Sequence, residues 1–511
     1  MTIFTLFKSI TLKPLRGLIH LIESFTNYDA TLRKARMPDQ KAKELRLGSW
    51  WGKELVWFPA GTPPRVHNQV TALIDGENFF GELHQQLCQA KYYVFIAGWN
   101  LTPHFPICRD TQEELIETRL LALLSKISRK VPVRILLWNG APLLFQPTTR
   151  HTKQVKQTME LPGQGDLICY LDSSAKPSHC HHQKTIIIDG RVAFVGGMDL
   201  TTFMGDRFDS SKHPLRAGIN WHDVQLKLEG EAVGDLELNF QQRWQAVVKK
   251  KEARILPHRT IEFDQNWETP VQIVRTIPRK NYRFAPKGEF GIFHAYTTLI
   301  AQAKNFIYLE NQYIWSAYIL EALTNAIKTP HTEPFRVVLV LPAQAEDGKW
   351  DNDKHVKRLR ELDGGRGVIS VYSLYTSGPN IGKVPFTYRA VYVHAKVAIV
   401  DDEWFMVGSA NLNNRGLITD SEINALIHHQ DLAKELRINL WAEHLGMSPD
   451  EVSRKNPIEL IDRDWKERAS TNREQLKRRE RPLQSRVYSY DTGRMPGMWL
   501  PEELEVLSLE H

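Results

Sequence analysis

His182-Gln183-Lys184-Thr185-Ile186-Ile187-Ile188-Asp189 returns 212 residues later as His394-Ala395-Lys396-Val397-Ala398-Ile399-Val400-Asp401. With 19 histidines in the chain and lysine and aspartate at ordinary frequencies, a match to HxKxxxxD is expected by chance only about 0.06 times. A second landmark keeps nearly the same offset. Ala90-Lys91-Tyr92-Tyr93-Val94-Phe95-Ile96 resembles Ala303-Lys304-Asn305-Phe306-Ile307-Tyr308-Leu309, 213 residues on. Two independent landmarks in register identify a duplicated unit. His151-Thr152-Lys153 and His355-Val356-Lys357 carry the first two members without the aspartate, and they fall outside the pattern.

Working outward, each unit holds an intermediate strand, Val133-Arg134-Ile135-Leu136-Leu137-Trp138 and Phe335-Arg336-Val337-Val338-Leu339-Val340, preceded by a helical pattern. Short β-branched runs alternating with helical segments predict an α/β fold, with sheets covered by helices. The expected organisation is a basic amphipathic extension over 1–65, a first half over 66–245 and a connection over 246–285. A second half then runs over 286–447, followed by a charged tail over 448–511. A chain of 511 residues with 42% hydrophobic and 24% charged residues has ample core-forming mass, which excludes a disordered or collagen-like polymer. The four cysteines are too sparse for a disulfide framework. A net charge of +7 is modest at this length.

The spacing inside the motif sets what each residue can do. Residues two apart in a strand face the same side, so His182 points with Lys184 and His394 with Lys396. Asp189 and Asp401 lie an odd number of residues away, beside turns, and are expected as structural acceptors. Downstream, Gly196-Gly197-Met198-Asp199 and Gly408-Ser409-Ala410-Asn411 are small enough to let backbone and short polar groups approach a ligand. Two histidines and two lysines related by an internal pseudo-twofold suit an anionic phosphoryl group. One imidazole attacks phosphorus and the other protonates the leaving alkoxide. The lysines and Asn411 neutralise the non-bridging oxygens. This scheme needs no metal or other cofactor. His179, Cys180 and His181 have no second group at ligand spacing and read as site wall or packing.

Over roughly residues 66 to 470 the chain resembles the phospholipase D superfamily, whose members carry two such motifs. The resemblance extends to Gly218-Ile219-Asn220-Trp221-His222-Asp223-Val224, Phe240-Gln241-Gln242-Arg243-Trp244, Tyr308-Leu309-Glu310-Asn311-Gln312-Tyr313, Asp420-Ser421-Glu422 and Leu440-Trp441-Ala442-Glu443-His444-Leu445-Gly446. It implies duplicated α/β/α sandwich units around one shared active site. By the same resemblance His182 is the nucleophile, His394 the general acid and then base, and Asp223 and Glu422 the carboxylates that orient them. Gly197, Asp199, Ser409 and Asn411 are then candidates for substrate contact, although Asp199 stands where some members have asparagine and its charge would repel a phosphate.

The implied activity is phospholipid hydrolysis to phosphatidic acid with transphosphatidylation. Cardiolipin synthesis by the same chemistry and a superfamily nuclease are the alternatives. The expected partners are a glycerophospholipid substrate and a membrane surface, with no nucleic acid. Residues 1–25 interleave apolar and basic side chains without the uninterrupted apolar region of a secretory signal. That pattern points to a cytoplasmic protein that visits membranes, or to one exported without a cleaved signal. An exported bacterial effector would bring a secretion-system or immunity partner.

Overall fold

The computed structural model describes residues 56–493 apart from short internal stretches at 143–145, 162, 164, 177–178, 217, 250–254, 332, 346–347 and 381–384. Two sheets build the molecule. The strands of the first are β1 (Asn68–Ile74), β2 (Val94–Gly98), β3 (Val133–Trp138), β4 (Leu167–Asp172), β5 (Thr185–Ile188), β6 (Val192–Gly196) and β8 (Val224–Gly230), in the order β1-β8-β6-β5-β2-β3-β4. β2, β3 and β4 are parallel, and the remaining pairs are antiparallel.

The second sheet repeats this order. β9 (Val271–Ile277), β11 (Phe306–Glu310), β12 (Arg336–Val340), β13 (Ile369–Pro379), β15 (Val397–Val400), β16 (Trp404–Gly408) and β17 (Glu422–His428) line up as β9-β17-β16-β15-β11-β12-β13, again with a parallel trio, β11 to β13. β10 (Glu289–Phe290) and β14 (Phe386–Val393) extend it, and β18 (Val487–Ser489) pairs with β13. The duplication read from two landmarks is therefore a duplication of topology. β9 lies inside residues 246–285, the expected connection. Its Val271-Gln272-Ile273-Val274-Arg275-Thr276-Ile277 is buried at every position between Pro270 and Pro278, so the second unit starts earlier than its helix pattern indicates.

Both faces of the sheets are covered, so their strands read as continuous apolar runs. Period-2 alternation divides them: Phe95 and Ala97 face one core, Val94 and Ile96 another. The Val94 side packs against helices Asp75–Cys88, Leu120–Ser128 and Thr149–Met159 through Phe79, Leu83, Leu124, Val155 and Met159. The Phe95 side joins Tyr308, Val338, Phe405 and Val407 of the second sheet in one core, together with Phe240 and Trp244 of helix Ala232–Val247 and Leu440 and Trp441 of helix Gln430–Leu445. Residues 448–493 of the expected charged tail contribute to it as well. Leu460, Ile461 and Trp465 are fully buried, because helix Lys466–Arg478 turns its basic residues outward and β18 closes the segment onto β13. Residues 1–55 and 494–511, which hold most of the expected amphipathic extension and the chain end, lie outside the described residues.

One short strand crosses between the sheets. β7 (Asn220–His222) leaves the first half to pair, in parallel, with Val391–Val393 of β14. Asp223 is the step between β7 in the second sheet and β8 in the first. A parallel bridge between His181 and Ser421 makes the reciprocal contact.

Candidate active site

The two histidines stand where these crossings meet. The His182 N–H donates to the Ser421 carbonyl at 2.8 Å, and the His394 N–H donates to the His222 carbonyl at 2.8 Å. Each motif is thus anchored on the residue just before a carboxylate of the opposite half, Ser421 before Glu422 and His222 before Asp223. His182 Nδ1 lies 3.0 and 3.1 Å from the two carboxylate oxygens of Glu422 and 3.1 Å from the Ser409 carbonyl. His394 Nδ1 lies 2.6 Å from Asp223 Oδ2. The first half supplies the carboxylate for the second histidine, and the second half supplies it for the first. Acceptors at Nδ1 put the proton there and leave Nε2 as the reactive nitrogen in both rings.

The lysines fold back under their own histidines. Lys184 Nζ donates to the His182 carbonyl at 2.8 Å, and Lys396 Nζ donates to the His394 carbonyl. Their charge environments then diverge. Lys184 Nζ forms a buried salt bridge to Asp199 Oδ2 at 2.9 Å, while Asp199 Oδ1 accepts from the Trp99 N–H at 2.9 Å. In the second half Asn411 takes the place of Asp199. Among the described residues no carboxylate lies within salt-bridge distance of Lys396 Nζ. Burial pushes the Lys396 ammonium down to about 7 against the opposing pull of Asp223.

Burial, followed by the charges of Lys184 and Lys396, holds the His182 pKa well below the ordinary imidazole value of 6.5. Burial, Lys396 and Arg207 do the same to His394. Burial raises Asp223 and Glu422 above ordinary carboxylate values. These are the signs of a desolvated, electropositive site that favours neutral imidazoles until an anion enters.

The remaining expected residues sit one layer back. A Cβ on Gly197 would meet Asp223 Oδ1 at 2.1 Å, so this glycine makes room for the carboxylate rather than for a ligand. Ser409 is fully buried; its Oγ accepts from the Ile423 N–H at 3.0 Å and its carbonyl faces His182. Asn411 Nδ2 donates to Gln312 Oε1 at 3.3 Å. Asp189 and Asp401 are turn residues with φ of 57°. Asp189 accepts the N–H groups of Lys91, Tyr92 and Tyr93, and Asp401 those of Lys304, Asn305 and Phe306, all at 2.7–2.9 Å. The two sequence landmarks of each repeat are therefore bonded to one another. His181 is packed against Asp172 at 3.0 Å and Ser421 at 2.9 Å, and Asp172 also takes Arg243 at 2.9 Å.

Several further site residues carry no role readable in the sequence, although Trp221 and Gln312 lie within the resembling segments. Trp221 stacks on Tyr392 and packs at a tilt against His394, with ring centroids 5.0 and 4.8 Å away, and the Arg207 guanidinium lies 4.1 Å from its ring. Trp99 stands edge-on to His182. Gln312 links Asn411 to the Tyr392 hydroxyl.

The family model described as phospholipase D matches residues 86–220 and 216–350, more than half of the chain, and the model described as cardiolipin synthase, PLD-like domain matches residues 296–442. The chain belongs to the phospholipase D superfamily. Its relatives include phospholipase D A of Dictyostelium discoideum, 27% identical over 76% of this chain and 36% of that protein. Phospholipase D alpha 4 of Arabidopsis thaliana is 25% identical over 76% of this chain and 66% of its own. The chain thus spans about one to two thirds of the length of these superfamily relatives. The crystal structure of phosphatidylserine synthase from Haemophilus influenzae Rd KW20 shares the fold, with a TM-score of 0.53 at 14% identity over 86% of this chain and 100% of that one. Among the described residues no helix is long and apolar enough to cross a membrane.

Proposed function

We propose that this chain is a phospholipase D, which cleaves the bond between phosphate and head group of a glycerophospholipid and works at a membrane surface. The observation that carries the reading is the crossed pair of histidine and carboxylate, His182 with Glu422 and His394 with Asp223. The phospholipases D among its relatives favour a lipid phosphodiester over other phosphodiesters.

In the first step the His182 Nε2 lone pair attacks phosphorus. The bond from phosphorus to the head-group oxygen breaks, and that oxygen takes the proton of the protonated His394. Entry of the substrate anion favours this imidazolium, since it offsets the cations that, after burial, hold His394 neutral. The product is a phosphohistidine on His182 and a free head-group alcohol. In the second step neutral His394 removes a proton from water, the water oxygen bonds to phosphorus, and the bond from phosphorus to nitrogen breaks to release phosphatidic acid. Glu422 steadies the positive charge on the attacking ring, as the third member of any such relay does. Lys184 and Lys396 meet the charge on the non-bridging oxygens, and one well-aimed donor of this kind is worth about 3–4 kcal/mol in the transition state.

A primary alcohol competing with water gives a phosphatidyl-alcohol by the same second step. Incubation with phosphatidylcholine vesicles and a short primary alcohol is expected to yield both phosphatidic acid and the phosphatidyl-alcohol. Absence of both products across a panel of phospholipid classes contradicts the assignment.

A further inference from the structure

Behind the catalytic residues lies a second polar cluster that the reaction does not use. Asp75, His213 and His222 are buried, the Glu443 side chain is 5% exposed, and one ligand atom from each lies within 4.8 Å of the others. They come from four separate places: the start of helix Asp75–Cys88, the loop before β7, β7 itself and helix Gln430–Leu445. We propose that these four side chains form a structural zinc site that pins the first half of the molecule to the C-terminal helix of the second.

The distances fit. His222 Nδ1 lies 2.9 Å from Asp75 Oδ1 and 3.3 Å from Glu443 Oε1; His213 Nε2 lies 3.1 Å from Glu443 Oε1 and 3.5 Å from Asp75 Oδ2. A tetrahedral zinc with bonds near 2.0–2.1 Å has ligand atoms about 3.3–3.4 Å apart. The rings of His213 and His222 are set at 78°, with centroids 5.8 Å apart, so they approach the shared point from different directions. Two imidazoles and two carboxylates without thiolate make a borderline nitrogen and oxygen set that suits zinc.

The surroundings supply independent support. His222 hydrogen-bonds through its other nitrogen, Nε2, to the buried Glu310 Oε2 at 2.9 Å, and His213 Nδ1 lies 3.1 Å from the buried Asp209 Oδ2 without hydrogen-bond geometry. This is the carboxylate, histidine, metal arrangement that fixes the tautomer of a ligating ring. Asp75 Oδ2, fully buried and aimed into the cluster, has no hydrogen-bond partner among the described residues. Asp75 is also held at a φ of 62°, a conformation that a non-glycine residue keeps only when its surroundings impose it. Four carboxylates, Asp75, Asp209, Glu310 and Glu443, share this volume with only three imidazoles, those of His213, His222 and His444. Arg216 lies 3.4 Å from Asp209, and the Arg486 guanidinium adds a charge that acts on Glu443, Asp75 and Asp209. A divalent ion neutralises Asp75 and Glu443 directly. The Asp75 N–H donates to the Asp223 carbonyl at 2.8 Å, so the site also braces the strand step that carries the His394 partner.

The test is elemental analysis of the full chain purified without chelator. About one zinc per chain is expected, retained in His182→Ala and lost or strongly reduced in His213→Ala and Glu443→Gln. Dipicolinate is expected to lower the melting temperature and added zinc to restore it. Where a variant fails to fold, the wild-type chain reloaded with cobalt(II) decides, since a tetrahedral site gives intense visible absorption that zinc abolishes. A chain without bound transition metal, indifferent to chelator and giving no tetrahedral cobalt spectrum, overturns the proposal. So does zinc that departs with His182→Ala, because the metal would then belong to the catalytic centre.

Discussion

The two halves of the active site share a backbone plan and differ in charge. In the first, Lys184 is neutralised by Asp199 at 2.9 Å; in the second, Lys396 is buried with Asn411 in the corresponding place and its ammonium is pushed down to about 7. The lesson is that duplication conserves geometry while single side chains divide the labour. In the first half Asp199 opposes the burial and the lysine charges that keep the nucleophile, His182, neutral. The other half concentrates unbalanced positive potential beside His394, where a phosphate anion is needed to recharge the acid.

The largest expected difference lies in catalysis. On the proposed chemistry His182→Ala and His394→Ala each lower kcat by about 10⁴-fold or more, as in other sites whose members act as a unit. A lipid-hydrolysis assay checks this, and near-normal turnover by either variant breaks the division of roles.

Next comes a contrast in stability. Lys184→Met leaves the Asp199 carboxylate buried without its cation, and a destabilisation of about 3–5 kcal/mol is expected. Lys396→Met removes a desolvated ammonium that has no such partner, so its melting temperature is expected to rise, by the equivalent of about 1–2 kcal/mol, while activity is lost. Denaturant unfolding of the two variants checks the sign. Equal destabilisation by both would erase the distinction between the halves.

Acid sensitivity follows from His182 and His394. Their folded pKa values are depressed below 6.5, so below that pH the unfolded chain takes up protons that the folded chain refuses. Their contribution to stability is complete above pH 6.5 and declines as pH falls below it. The acid limb of kcat/KM, which reports protonation of the His182 nucleophile in the free enzyme, is expected below pH 6.5. The smallest effect is a refinement of it: Asp199 opposes the depression of His182, so Asp199→Asn should move that limb to still lower pH and tighten inhibition by inorganic phosphate. A limb moving upward in this variant would reverse the assigned role of Asp199.

Much of this was legible in the sequence because it is local. The repeated motif, its strand periodicity and the turn position of Asp189 and Asp401 all depend on spacings within eight residues. The crossing of the carboxylates was not legible. Asn220 to Gly230 carries no break in the sequence, and only the three-dimensional packing shows that it changes sheet at Asp223. Arg207 reaches Trp221 and Trp99 reaches His182 by tertiary contact alone. The basic residues around Arg473 to Arg481 hid the buried Leu460, Ile461 and Trp465 upstream, because charge on one helix face says nothing about the other.

The crossed pairing itself is open to direct measurement. A phosphodiester substrate with an activated leaving group, such as a p-nitrophenyl ester of phosphatidic acid, departs without help from a general acid. In single-turnover experiments on it, Asp223→Asn is expected to form the phosphohistidine at a near wild-type rate, because Asp223 serves only His394. Glu422→Gln is expected to remain slow, because Glu422 serves the nucleophile from the opposite half. Equal impairment of both variants, or rescue of Glu422→Gln instead, would contradict an active site in which each half orients the histidine of the other.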